Sequence, residues 1–456
     1  MNRRVIRRLR VAATYAAVVG TVISGIPMPM LDAVFAPREA QAVDYSWANT
    51  SGLFSAGLSP SNGGGDTSSV LLFGGGTSYT ATNDVVNDFE VQELRLSATN
   101  SFFSTITGSS FVLGTAGSGL ITQNGSGSFQ INNAITLANA LTVSGTGTGF
   151  VALNGVISGV GIGITKGGPS TLVLTNANTF SGGLTLDGGT LRIGTNEASL
   201  GAATNAVNVT SASRFQTSSV NLAATRTFAL GSTLTVDPAA NSTLTINGQI
   251  TGVGGLTKAG FGTLRVTAST NTYSGGTTLL AGNLTFTDVD GTSDLFNAAG
   301  TGDFNLRLGT LTLLGAGTAN STNIITAAGG LGASINMQGS ATIAANRASG
   351  TFTNNSFLFN QLNLGNNTLG FTSAGANFRA LINGTTFING GSAVFSNATA
   401  NSDTLTINGP IVSAQPGFGI TKIGGGVLEV TGNATNTGTL TGPTNILAGA
   451  LRITNS

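Results

Sequence analysis

The chain of 456 residues predicts an all-β fold of the solenoid class, a parallel β-helix built from repeated strand–turn cassettes. Three observations predict it. Short alternating apolar runs end in Asn, Gly or Ser at roughly the 8–12-residue intervals of all-β chains. A unit of about forty residues recurs three times without linkers between the copies. No stretch of useful length with helical period follows residue 43.

The recurring unit is the strongest of these. Lysine occurs only at Lys166, Lys258 and Lys422, and around them residues 165–175, 257–267 and 421–431 read TKGGPSTLVLT, TKAGFGTLRVT and TKIGGGVLEVT. Upstream of each lies an apolar residue and Asn-Gly: Leu153-Asn154-Gly155, Ile246-Asn247-Gly248 and Ile407-Asn408-Gly409. Downstream come TFSGGLTLDGGTLRI (179–193), TYSGGTTLLAGNLTF (272–286) and TLTGPTNILAGALRI (439–453). Within each copy the period is two. Leu264 and Val266 point one way and Arg265 the other, and Leu172/Leu174 and Leu428/Val430 flank Val173 and Glu429 in the same way. One face stays aliphatic while the other varies, which is the pattern of a strand buried on a single side.

The intervening sequence, such as FQINNAITLANALTVSG (129–145) and FLFNQLNLGNNTLGFTS (357–373), follows the same grammar. Packed antiparallel sandwiches also accommodate short strands, but a recurring unit without separate domains favours stacked rungs. At ~22 residues per rung and ~4.8 Å between strands, the ~410 residues after the N-terminal segment make ~19 rungs and a rod ~90 Å long.

Composition narrows the chemistry. Charged residues make up 8% of the chain, against roughly 25% in soluble domains, while hydrophobic content is 40%. Cysteine and histidine are both absent. That removes disulfides, thiolate metal sites, Ser-His-Asp triads and the commonest metal ligand.

The N-terminus reads as an export signal over residues 1–42. MNRRVIRRLR carries five arginines and no acid, residues 11–26 are apolar but too short and interrupted for an anchor, and Ala40-Gln41-Ala42 matches an A-x-A cleavage pattern. NRRVI approximates a twin-arginine signal, although five arginines in ten residues produce such a pair readily. Cleavage after Ala42 leaves 12 basic and 15 acidic residues, a net charge of −3. No clustered basic footprint for nucleic acid then remains. The organisation expected is a signal peptide (1–42), an N-terminal β-rich segment (43–150), and a β-helix (151–456) with cassettes at 153–193, 246–286 and 407–453.

Gly255-Leu256-Thr257-Lys258, Gly260, Gly262-Thr263-Leu264, Asn271-Thr272-Tyr273-Ser274-Gly275-Gly276-Thr277 and Gly282-Asn283-Leu284 resemble the autotransporter-associated β-strand repeat, or passenger-associated transport repeat. The 163–193 copy departs from it at Ser170 and Phe180, and the 419–453 copy at Leu440 and Pro443. The resemblance implies a right-handed parallel β-helix, export to the cell surface or beyond in a Gram-negative organism, and an adhesin-like role without enzymatic activity. Implied partners are the outer-membrane translocation machinery or a separate β-barrel, and surface glycans or host and matrix proteins. A self-translocating member would carry a C-terminal β-barrel. Here the third cassette ends at Ile453, three residues before Ser456, so a longer gene, a barrel on a separate chain and another route are all open.

No catalytic, cofactor or metal residues are assigned, and each candidate has a structural reading. The lysines precede their glycines and a strand follows, the reverse of a phosphate-binding P-loop, so they read as solvent-facing residues at turns. Asp288, Asp290 and Asp294 space like the start of a calcium loop but lack its closing glutamate. Asp84, Asp88, Glu90 and Glu93 form the acidic cluster that a polysaccharide lyase or hydrolase would need, with Glu90 and Glu93 on opposite faces of one strand. Trp47 reads as part of an internal aromatic column rather than a sugar platform.

Overall fold

The structure, a computed structural model, describes residues 44–59, 69–85, 88–99, 103–287, 295–315, 322–325, 332–348, 356–373, 378–398, 404–431 and 440–454. The chain divides into Met1–Val43 and Asp44–Ser456, and every described residue belongs to the second unit. The expected export signal therefore lies outside the described residues, as do Asp288, Asp290 and Asp294.

Asp44–Ser456 is a parallel β-solenoid. Among the described residues 48 strands form five sheets, and nearly every pairing is parallel between strands one turn apart. The exception among the described residues is Asp44–Trp47, which takes Leu58–Ser59 antiparallel at the N-terminal end, beside the four-residue helix Phe54–Gly57. Each turn runs over three faces. Eleven strands, from Asp44–Trp47 to Ile250–Thr251, form the first face, and seven more, from Leu295–Phe296 onward, continue it. The second face is one sheet of sixteen strands, from Gly52–Leu53 to Ile411–Ser413. The third begins with a four-stranded sheet ending at Ile157–Ser158 and resumes with ten strands from Val220–Leu222.

Strands on the second face begin 19 to 31 residues apart. The wide spacings, 27 to 31, fall mainly between Thr277–Leu279 and Leu362–Asn363. Longer turns there, together with the end of this sheet at Ser413, account for sixteen strands on this face where ~19 rungs follow from ~22 residues each.

The core lies between the faces and is fed by the period-two pattern. Leu172, Leu174, Leu264, Val266 and Leu428 are fully buried, whereas Val430 is half-buried close to the C-terminal end. Trp47 is 3% exposed and packs against Phe54, Phe73 and Tyr79 with ring centroids 5.5 to 6.4 Å apart. It seeds an internal aromatic cluster that continues through Phe89 and Phe111, with rings tilted or edge-on rather than stacked.

Candidate functional site

The three cassettes are where the solenoid changes its construction. In the first, Ile164–Gly167 lies on face one and Thr171–Leu174 on face two. The chain then crosses face three without a strand before Leu184–Asp187 and Thr190–Ile193 repeat the pair. The second begins one face further on. Leu256–Lys258 and Thr263–Val266 occupy faces two and three, and the strandless crossing is on face one. The third has Ile420–Ile423 on face three and Val427–Val430 on face one, and the sheet of face two ends at Ile411–Ser413. The first two cassettes thus interrupt faces three and one, and the third lies where face two ends among the described residues.

In the first two cassettes a buried asparagine replaces the missing strand. Asn178 is 4% exposed; its Oδ1 accepts from the Ile157 N–H at 2.8 Å, and its Nδ2 donates to the Ser199 carbonyl one turn on at 2.7 Å. Asn271, 1% exposed, does the same between the Ile250 N–H (2.7 Å) and the Ala298 carbonyl (2.6 Å). A carboxamide carries one acceptor and donors like a peptide group, so it satisfies the orphaned backbone groups on both sides. The next aromatic, Phe180 or Tyr273, is fully buried and fills the space a strand would occupy. After each of these two breaks a short 3-10 turn follows, Glu197–Leu200 or Asn297–Ala299.

The lysines are not at the surface. Lys166, Lys258 and Lys422 are at most 1% exposed, which corrects the expectation of solvent-facing turn residues. They stand in the inward column: Lys258 is in register with Val236 and Leu279, and Lys166 with Val143 and Leu186. Lys258 Nζ donates to the carbonyls of Ala259 (2.6 Å), Gly260 (2.8 Å) and Ala281 on the next turn (3.1 Å). Lys422 repeats this with Ile423, Gly424 and Ala448, and Lys166 bonds Gly167 and Gly168. Gly168, Gly260 and Gly424 have φ of 65°, 68° and 73°, which turns their carbonyls toward the ammonium. Charge burial is tolerated because the donors are used. Burial still pushes the Lys166 and Lys258 ammonium groups down to about 8 and lowers that of Lys422.

A second ladder ties cassette to rung below. Thr175 Oγ1 donates to Asn154 Oδ1 (3.0 Å) and Asn154 Nδ2 to Asn132 Oδ1 (2.9 Å). Thr267, Asn247 and Asn221 repeat the chain, as do Thr431, Asn408 and Asn383. The glycine after each asparagine is required by close stacking: a Cβ on Gly155 or Gly248 would stand 1.9 or 1.8 Å from the carbonyl oxygen of Asn133 or Arg226.

The acidic candidates do not converge. Glu90 lies on Phe89–Val91 of face three and Glu93 on Glu93–Leu96 of face one, two strands rather than the single one expected, because Gln92 is a corner. Glu93 is 7% exposed and bonded to Arg95 at 2.8 Å. Burial raises its pKa, but Arg95 and Thr122 outweigh that and the net is lowered. Asp84 accepts from the Ser55 hydroxyl (2.6 Å) and N–H (2.9 Å), which lowers its pKa, and Asp88 accepts from the Ser110 hydroxyl. Among the described residues no three His, Cys, Asp or Glu side chains gather as a metal site. None of their helices is long and apolar enough to cross a membrane.

Comparison with known proteins fits this geometry. The model of the passenger-associated transport repeat matches residues 164–193, 256–286 and 420–453. The chain carries three passenger-associated transport repeats. It is also 34% identical over 183 residues to the adhesin BmaC autotransporter of Brucella suis biovar 1 (strain 1330), a match covering 36% of this chain and 5% of that much longer protein. No solved structure gives a significant match.

Sequence reasoning identified the cassette and its inward leucines. It missed the bridging Asn178 and Asn271, the inward lysines, and Arg226. That arginine is fully buried, pairs with Glu197 at 3.2 Å and donates to the carbonyls of Gly201, Ala202 and Asn205. The alternation itself placed the lysine: Leu256 inward and Thr257 outward leaves Lys258 inward.

Proposed function

We propose that the chain is an exported, non-enzymatic passenger protein whose solenoid is displayed at the cell surface or released, with adhesion to glycans or matrix proteins as its role. The observation that carries this is the placing of all three transport repeats as breaks within one stacked solenoid. Likeness to an autotransporter adhesin supports it. In this reading residues 1–42 are removed on export, 43–150 form the N-terminal part of the solenoid, and 151–456 carry the cassettes at 153–193, 246–286 and 407–453. Passage across the outer membrane engages a β-barrel translocator.

Expression of the tagged chain in a Gram-negative host tests the reading. The expected result is a processed chain that extracellular protease removes from intact cells, and cells that adhere to glycan- or matrix-coated surfaces. Retention of the unprocessed chain in the cytoplasm overturns export; display without adherence overturns adhesion. For the absence of catalysis, the purified chain is incubated with polysaccharides. Turnover lost in Asp84→Asn or Glu90→Gln overturns it.

A further inference from the structure

The first cassette opens a cleft that its structural role does not require. Two successive turns lack a strand on face three, across residues 175–183 and at Glu197–Leu200. At that corner a cleft of about 470 Å³ is left against the ends of the face-two strands. Its size lies within the ~300–1,000 Å³ typical of small-molecule sites. Register sets Val173, Arg192, Gln216 and Asp237 on consecutive turns in one outward column. Turns are ~4.8 Å apart, so an extended ligand laid along the solenoid meets them in series.

The lining has the character of a saccharide site. Gln216 Nε2 donates to Asp237 Oδ2 at 3.0 Å, which presents an amide and a carboxylate side by side to ligand hydroxyls. Thr175 and Ser218 add hydroxyls at the rim, and Val173 supplies an apolar wall. Arg214 partly neutralises Asp237 at 3.6 Å. Arg192, by contrast, takes part in no ion pair among the described residues; its guanidinium is held 5.0 Å from the ring centroid of Phe150. Beyond it Phe150 stacks on Phe103, 42% exposed, with centroids 6.4 Å apart. A fixed guanidinium with free donors is suited to a carboxylate, and the exposed Phe103 ring beyond Phe150 to the C–H face of a sugar.

We propose that this cleft binds a uronate-containing oligosaccharide, with Arg192 holding a ligand carboxylate. The proposal rests on the adhesive reading and names the ligand class it would use.

The test is titration of the full mature chain with fluorescent tetragalacturonate, its methyl ester and a tetraglutamate peptide. Expected are saturable binding of tetragalacturonate and loss of most affinity for the ester. Arg192→Gln should weaken binding at least about tenfold, the effect of losing one charge-assisted hydrogen bond. The thermal midpoint should not move, and Arg265→Gln, on another face, should bind as wild type. Three outcomes overturn the proposal: no saturable binding at millimolar tetragalacturonate, equal binding of the peptide, or equal effects of the two arginine variants. If cells displaying the chain still adhere while tetragalacturonate does not bind, the cleft assignment alone has failed; absent adherence with intact tetragalacturonate binding rejects adhesion and retains the site.

Discussion

The first and second cassettes solve one problem on different faces, and they share less than their sequences imply. Both carry the bridging asparagine, Asn178 and Asn271, and a buried ring after it. From there they diverge. Tyr273 places its hydroxyl 2.6 Å from Thr277 Oγ1 inside the core, whereas the corresponding pair in the first cassette is the apolar Phe180 and Leu184. The first break is sealed further by Arg226, whose guanidinium gathers the carbonyls of the 200–205 turn. The invariant requirement is peptide-like hydrogen bonding plus a filled volume. How that volume is filled is free to vary, provided polar atoms are matched.

Removing the bridge should have the largest effect. Asn271→Ala strands the Ile250 N–H and the Ala298 carbonyl and loses a further bond to Ala268, and should cost about 3–5 kcal/mol in urea unfolding. Asn178→Ala loses two side-chain bonds, so its cost should be lower, about 2–4 kcal/mol. If both variants lost under about 1 kcal/mol, the amide would not be what replaces the strand.

The lysines come next. Lys258→Met empties a corner of three carbonyls and Lys166→Met one of two, for expected losses of about 2–3 and 1–2 kcal/mol. Their pH signature is distinctive. Folded-state values near 8 lie below the ordinary 10.5, so between those pH values the unfolded chain holds protons that the folded chain has released. This contribution makes stability rise with pH across the window, and the double Lys→Met variant should flatten the rise. An unchanged slope would mean the ammonium groups are not desolvated.

Exchanging ring partners sharpens the comparison. Tyr273→Phe alone leaves the Thr277 hydroxyl buried without its partner and should cost about 1–2 kcal/mol. Adding Thr277→Leu recreates the first cassette's pair and should recover most of the loss in the same unfolding measurement. A double variant worse than the single would show that the two pockets differ in shape. The smallest effect belongs to the exposed ladder: Asn154→Ala should cost about 0.5–1 kcal/mol.

Much of this was legible in the sequence, and unevenly so. Alternation in TLRVT assigned Leu264 and Val266 to the core, and counting three lysines exposed the repeat. The same alternation extends back across Thr257 to Lys258, but a lone lysine beside glycines is ordinarily a surface residue. Asn178 and Asn271 read as turn residues in sequence, since the groups they bridge between turns lie 21 or more positions away. Nor did spacing announce the Arg192 cleft, which exists only because stacked turns align residues 19 to 24 apart.

The rotation of the cassettes has a mechanical consequence. A seam is weakest where its sheet ends, and here the ends are staggered like joints in brickwork. At the first break faces one and two run on without interruption; at the second, faces two and three; at the third, faces three and one. A tear that unzips one face therefore meets two intact courses at every joint, and a pull along the axis finds no rung at which all three faces part together.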